Sequence, residues 1–355
     1  MDNSAVFDSK TGKYSRYFTN QILTLSDKIK SIYNSNYAYI FNSGISANSI
    51  AIDILINNSK DSIIIYPTNS YYENIDVIQY KKQMYNIDFF EFDVLNTFQL
   101  HELLKKPQHK ILLLESCMNP SGYIFDFSQI CEIKRHNTSI IIDNTWLTGY
   151  IFNPLLCGAD IVTESMTKYY TANTEIAGCC VFNNNCYDKL FDDYIKFTGI
   201  HISPNVIKII NDNINDTTIR LNNLSNLTIK IISYLLKNNI TCIHPCLHTH
   251  PCYNYYYKYF NNNYCIGTFL IGFPNPKEQI KEMMDHIKIF EIKSSFCYSK
   301  TIINGTIYKI KNNNLNFIRL SIGYNDHYDK IISGINELIY TLNTIENNLS
   351  WDIYE

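Results

Sequence analysis

Four short runs of this chain are apolar almost without interruption. "DSIIIY" (61–66), "KILLLE" (110–115), "SIIID" (139–143) and "ADIVTE" (159–164) are rich in β-branched side chains, as strands covered on both faces must be. Between them lie segments such as "FDFSQICEIKRH" (125–136), where apolar residues recur at helical spacing. This alternation, from about residue 40 to 183, predicts an α/β fold with a mostly parallel sheet wrapped by helices. Ligands of such sheets sit beyond the carboxyl ends of the strands. Asp143 and Lys168 fall at or just after two of those ends.

The pattern changes further on. Residues 203–238 read as one or two long helices after a Ser-Pro start. Beyond them a strand at 240–244, another in "CIGTFLIGF", a helix around 277–289, the strand "NFIRLSIG" and a terminal helix from 329 to 345 predict a smaller α+β domain. Three divisions result: an N-terminal arm, 1–39, with one evident helix at 21–33; a large domain, 40–225; and a small C-terminal domain, 226–355. The Asn-rich patches "NNNY" and "KNNNLN" read as loops.

Composition narrows the function classes. With 355 residues, 46% hydrophobic and 18% charged, the chain can bury large cores. A formal charge of -3 gives no reason to expect nucleic acid or an acidic membrane as partner. No run approaches the length of a membrane span and "MDNSAVFDSK" lacks a basic-then-apolar leader, so a cytoplasmic protein is expected. Eleven cysteines without a regular framework read as thiols of a reducing compartment. Arginine occurs only at 16, 135, 220 and 319, in a chain where lysine serves as the generic cation. Those that remain are candidates for the planar fork that pairs with carboxylate or phosphate.

The chemistry gathers around "ADIVTESMTKYY" (159–170). A lysine after an apolar strand is ordinarily a solvated cation, but a buried amine that gives up its proton becomes a nucleophile. Ser165 and Thr167 flank Lys168 at a spacing suited to a phosphate. Asp143 closes "SIIID", and a buried carboxylate there calls for a positive partner such as a protonated pyridine nitrogen. In "NSGISAN", Ser43, Gly44 and Ile45 can offer backbone N–H groups at the positive end of a helix. Phosphate, ring nitrogen and aldehyde carbon of one cofactor would then each have a partner.

At these residues the chain resembles the Cys/Met-metabolism family of pyridoxal-phosphate enzymes, the group of cystathionine synthases and lyases and methionine γ-lyase. "SMTKYY" is similar to its S-x-T-K-Y segment and "IIIDNTWLTGYIFNPLLCGADIV" to its D-N-T-F stretch. "LLLESCMNPSG", "YIFNSGISA", "KYSRYFTN", "HPCLHTHP" and "FIRLSIG" resemble further family segments, in family order, from about residue 12 to 344.

The resemblance implies a fold-type I pyridoxal-phosphate transferase with pyridoxal 5'-phosphate as cofactor. Lys168 would bond to the aldehyde carbon and then move protons, and Asp143 would keep the ring nitrogen protonated. Ser43, Gly44, Ile45, Ser165 and Thr167 would hold the phosphate, helped by Tyr14 and Arg16 of a neighbouring subunit, which makes a homodimer or homotetramer the expected assembly. Tyr71, or Tyr72 in the other register, would stack on the ring and act beside Lys168. Asn119 would lie near the ring hydroxyl and the substrate, Arg319 would clamp the substrate carboxylate, and Ser295 would meet it through its backbone. The implied activity is β- or γ-elimination or replacement on a sulfur-containing or O-activated amino acid; aminotransfer, or a non-catalytic scaffold of the same fold, are the alternatives.

Two segments depart from the family pattern. "TANTEIAGCC" replaces N-G-H-S-D-V-x-G-G, with Cys179 at a glycine position, and "SSFCYSKT" replaces the substrate loop S-L-G-G-x-E-S, with Lys300 where many γ-active members have Glu. "TCIHPCLHTHPC" (241–252) gathers Cys242, Cys246, His248, His250 and Cys252, all good zinc ligands, but its spacing fits no finger or ribbon and two prolines interrupt it. No metal site is expected from that stretch.

Overall fold

The computed structural model describes residues 19–59, 61–310 and 313–351. The chain divides into two compact units. The first comprises residues up to Asn119, Tyr123–Thr217 and Tyr255–Asn261; the second comprises Pro120–Gly122, Thr218–Asn254 and the chain from Asn262.

The first unit is built on a seven-stranded sheet. Its strands are β1 (Tyr37–Phe41), β2 (Ser62–Pro67), β3 (Asp88–Phe92), β4 (His109–Glu115), β5 (Thr138–Asp143), β6 (Ile161–Ser165) and β7 (Gly178–Phe182), in the spatial order β1-β7-β6-β5-β4-β2-β3. Strands β3, β2, β4, β5 and β6 run parallel, whereas β7 lies antiparallel to both β6 and β1. All four expected strands are present, β2, β4 and β5 each within one or two residues of their apolar runs. Their centres, Ile64, Ile65, Ile111, Leu112, Ile140, Ile141 and Ile161, are wholly buried, which is why these runs do not alternate. A residue slip would leave equally apolar faces, so register is fixed at the strand ends, where Glu115 pairs with Asp143 and Asp143 with Thr163.

Helix Asn20–Tyr33 belongs to this unit, which corrects the reading of 1–39 as an arm for the residues from 19 on. Thr19 caps the helix and its Leu25, Ile29 and Tyr33 are completely buried. The Tyr33 hydroxyl donates a hydrogen bond to Glu164 on β6 and accepts one from Asn144, so the helix end is bolted to the sheet. Tyr14 and Arg16 lie outside the described residues.

The second unit carries a five-stranded sheet made of β8 (Cys242–Ile243), β9 (Thr268–Phe273), β10 (Glu291–Ile292), β11 (Ile302–Tyr308) and β12 (Asn316–Ser321), in the order β10-β11-β12-β9-β8. Helices Thr217–Lys237, Lys277–His286 and Tyr328–Trp351 accompany it. Ile231, Leu235, Met283, Ile331, Ile335 and Leu338 meet Ile271, Ile303 and Ile318 in its core. The division between units falls at Thr217, where the long helix begins, not within that helix at 225. No helix among the described residues is long and apolar enough to cross a membrane.

Candidate active site

Asp143 ends β5 with its side chain 9% exposed. One carboxylate oxygen accepts from the Asn48 amide at 2.8 Å and the Asn74 amide at 3.3 Å; the other accepts from the Thr145 N–H at 3.0 Å. Asn48 is fixed in turn, since its amide also donates to Asn74 at 2.8 Å and its oxygen accepts from Thr163. All of the first-named donors are neutral, and among the described residues no Lys, Arg or His pairs with Asp143. A buried carboxylate held by neutral donors suits a cationic ligand group at that strand end.

Asn48 lies on helix Gly44–Asn58, one turn from the helix start. Ser43 caps that helix, its Oγ accepting from Ser46 N–H at 3.0 Å. The N–H groups of Gly44 and Ile45 have no acceptor within the helix, so they and the positive end of the helix dipole are available to an anion. The helix start is pressed onto β6 and β7. A Cβ on Gly44 would come within 2.6 Å of the Ser165 Cβ, and one on Gly178 within 2.2 Å of the Ser43 carbonyl oxygen. Both glycines allow this close approach, and the approach sets the N–H groups beside Ser165.

Ser165 ends β6, and its N–H donates to Thr145 Oγ1 at 2.8 Å. Thr145 therefore joins the Asp143 carboxylate to Ser165 beside the helix start. After Ser165 the chain turns tightly: Lys168 N–H reaches the Ser165 carbonyl at 3.4 Å, Thr171 N–H the Met166 carbonyl at 3.1 Å, and Thr167 exchanges hydrogen bonds with Ala177. Ala172 and Asn173 close the turn with φ of 55° and 59°. A left-handed alanine is strained, and it stands at the position where the family pattern has glycine. Lys168 is half-buried on this turn, and Tyr169 and Tyr170 after it are buried.

Glu115, at the end of β4, was not singled out from the sequence. It is 8% exposed and accepts the backbone N–H groups of Tyr71 and Asn119, so one carboxyl sets the positions of two expected ring neighbours. Tyr71 is half-buried, whereas Tyr72 is 63% exposed, which favours Tyr71 for the ring-facing position. Burial and the adjacent Asp143 charge push the Glu115 carboxyl up to about 8, although the two N–H donors pull the other way.

A pH dependence follows from that shift. An unfolded Glu titrates near its ordinary value of 4.5, so from there to about 8 the folded cofactor-free protein binds more protons than the unfolded chain. This stabilising contribution is complete below the unfolded value and is lost as pH rises through the folded one. Glu115→Gln, a neutral isostere, should flatten the fall of the unfolding free energy across this window by up to about 1.4 kcal/mol per pH unit. Parallel pH profiles of parent and variant would refute the assignment.

Glu164, on β6, is a second buried acid. Burial carries its carboxyl well above the ordinary range despite the Tyr33 and Tyr170 hydroxyls that donate to it. It braces helix 20–33 and the turn after Lys168.

In the second unit Arg319, on β12, is 3% exposed and donates to the carbonyls of Ser294 and Ser295 at 2.6 and 2.8 Å. Ser295 therefore presents its carbonyl to the guanidinium. Asn48, Asn74, Thr145 and Glu115 complete the network without having been expected. The "DNT" signature marks Thr145; helical "NS" and "EN" give no such sign for Asn48 and Asn74.

The Cys/Met metabolism PLP-dependent enzyme family model matches residues 2–339. The chain belongs to this family. Among relatives, an L-alanine/L-glutamate racemase of Wolbachia pipientis is 24% identical over 93% of this chain and 83% of the racemase. A cystathionine beta-lyase of Neurospora crassa is 26% identical over 73% of this chain, a match that spans only 56% of the lyase. The fold is shared with a putative O-acetylhomoserine (thiol)-lyase of Campylobacter jejuni, solved with a pyridoxyl-lysine phosphate, at a TM-score of 0.80 and 20% identity over 92% of this chain and 87% of that one.

As a member of the Cys/Met family the protein is a pyridoxal-phosphate enzyme of fold type I. Its residues fit that cofactor: Asp143 would offer a buried anion to the ring nitrogen, the helix start pressed against Ser165 would offer N–H and hydroxyl groups to the phosphate, and Lys168 follows three residues after Ser165.

Proposed function

We propose that this protein catalyses β- or γ-elimination or replacement on a sulfur-containing or O-activated amino acid, in the manner of cystathionine lyases and synthases. The observation that carries the reading is one network: Asn48, Asn74 and Thr145 aim Asp143, and Thr145 passes directly to Ser165 three residues before Lys168. Bound pyridoxal phosphate supplies an electron sink for the bonds at the substrate α-carbon.

The chain's own side chains do the rest. Ser43, Gly44, Ile45, Ser165 and Thr167 bind the phosphate, and Asp143 holds a proton on the ring nitrogen by its charge. Lys168 would hold the cofactor at its aldehyde carbon, and its free amine would take the α-proton and return it where the leaving group departs. Tyr71 covers the ring and Asn119 lies at its hydroxyl edge. Arg319 pairs with the substrate carboxylate through its planar fork, its position set by the Ser294 and Ser295 carbonyls. A homodimer or homotetramer in which Tyr14 and Arg16 reach the neighbouring phosphate, in the cytoplasm, completes the reading.

Arg319→Lys keeps a charge but loses the fork. It should lower kcat/KM about 10- to 100-fold, chiefly through KM, as loss of hydrogen bonds to a charged group does. Unaltered steady-state constants at unchanged thermal stability would remove Arg319 from substrate binding.

A second reading rests on the racemase relative, whose alignment covers more of this chain than that of the lyase. Racemisation needs proton donors on both faces of the α-carbon, and Lys168 with Tyr71 would be the pair. Chiral chromatography of alanine and glutamate separates the readings. Enantiomer interconversion without keto acid supports the second, whereas keto acid with ammonia, or a thiol-exchanged product when a thiol is added, supports the first.

A further inference from the structure

Within the second unit, three side chains that no reading above uses converge. His244, Cys246 and Cys265 place a ring nitrogen and two sulfurs within 4.8 Å of one another. Cys265 comes from outside the Cys/His stretch that the sequence singles out, brought in by the antiparallel pairing of β8 and β9. The cluster is built. His244 is completely buried with its ring edge-on to Phe269, and Cys265, 4% exposed, is anchored through its N–H to Ser225 Oγ at 2.8 Å. Cys246 is half-buried on the turn after β8.

The hydrogen bonds of His244 decide between metal and thiol chemistry. Nδ1 accepts from the Cys246 N–H at 3.0 Å, so the ring proton is on Nε2, 2.9 Å from the Ile266 carbonyl and 3.7 Å from Cys265 Sγ. Both nitrogens are engaged, and a metal would have to break one of these bonds. Donation from Cys265 holds the Cys246 thiol well below its ordinary value, against the opposing effect of burial. A thiolate beside a second thiol and an imidazole N–H is suited to oxidation.

We propose that Cys246 and Cys265 form a redox-modification site that a hydroperoxide converts to a disulfide. The Cys246 thiolate attacks one peroxide oxygen; an S–O bond forms, the O–O bond breaks, and the other oxygen leaves with a proton as alcohol or water. Cys265 then gives up its proton and its sulfur attacks Cys246, forming S–S and breaking S–O, and the released hydroxide takes that proton as water. Two thiols are oxidised and one peroxide is reduced.

The full-length protein treated with one equivalent of hydrogen peroxide, then alkylated and digested, tests this. A peptide pair linked through Cys246 and Cys265 should appear before other cysteines are modified, and Cys265→Ser should instead accumulate a dimedone-trapped sulfenic acid at Cys246. Without any substitution, Cys246 in the reduced protein should alkylate fastest at pH 6. Uniform alkylation rates, oxidation at other cysteines while this pair stays reduced, or alkylation of Cys246 only after a chelator removes bound zinc would overturn the proposal.

Discussion

Lys168→Ala should yield a folded protein that holds no cofactor covalently and has lost at least about 10³-fold in kcat/KM. The size of the loss combines covalent attachment with the proton transfers that one positioned base contributes, by itself about 10²- to 10⁴-fold. Folding survives because the turn is held by its backbone and by threonines. Lys168 N–H to Ser165, Asn173 N–H to Thr167 at 2.9 Å, and the Thr171 hydroxyl to the Thr167 carbonyl at 2.8 Å all persist when the side chain is shortened. Borohydride reduction followed by peptide mapping reads the attachment: the parent should carry a phosphopyridoxyl group on the peptide containing Lys168, and the variant on none. A label on another lysine, or a variant with parental activity, would be incompatible with the role assigned here.

The second large effect belongs to Asp143. Asp143→Asn preserves shape while removing the charge that holds a proton on the ring nitrogen, and kcat/KM should fall about 10²- to 10³-fold, as when one preorganised electrostatic partner is deleted. A local cost accompanies it. The carboxylate accepts from Asn48, Asn74 and Thr145, and an amide must set its own NH2 against at least one of these donors. One unsatisfied buried group costs about 1–3 kcal/mol, so a measurable drop in stability is expected together with weaker cofactor retention. Asn48→Ala separates the two effects, since it disturbs the aim of the carboxylate and leaves its charge. A loss in Asn48→Ala as large as in Asp143→Asn would shift the weight from charge to geometry.

The parallel strands of the first unit were legible because burial on both faces demands apolar runs, and such runs show in one dimension. β7 was harder to read. "GCCVF" is as apolar as its neighbours, but its antiparallel direction follows from the short turn after Lys168, which no periodicity reveals. β3 and β11 were missed for the opposite reason: "DFFEF" has two exposed positions and "IINGTIY" breaks register between Ile303 and Ile307, so neither presents a clean pattern. Helix 20–33 was found but assigned to an arm, because a helix announces its apolar face and not the sheet that covers it.

In the candidate site, the residues proposed to meet the cofactor were legible and the residues that hold them were not. Lys168, Asp143 and the Ser43–Ile45 helix start lie where chain direction and chemistry coincide. Asn48, Asn74 and Glu115 act through contacts between elements far apart in sequence, as does Cys265 in the second unit. The stretch "TCIHPCLHTHPC" therefore identified the neighbourhood of a cysteine–histidine cluster and one of its members, Cys246, but not His244 or Cys265.

The central claim is that the cofactor on Lys168 breaks a carbon–heteroatom bond in an amino acid. The direct measurement is release of keto acid, ammonia and sulfur product by cofactor-loaded protein given cystathionine, cysteine, methionine and O-acylhomoserine in turn, with and without a thiol. Turnover of at least one of these substrates, lost in Lys168→Ala, is the predicted result. Cofactor-loaded protein that binds pyridoxal phosphate on Lys168 yet neither releases nor exchanges a side-chain group from any of them would contradict it.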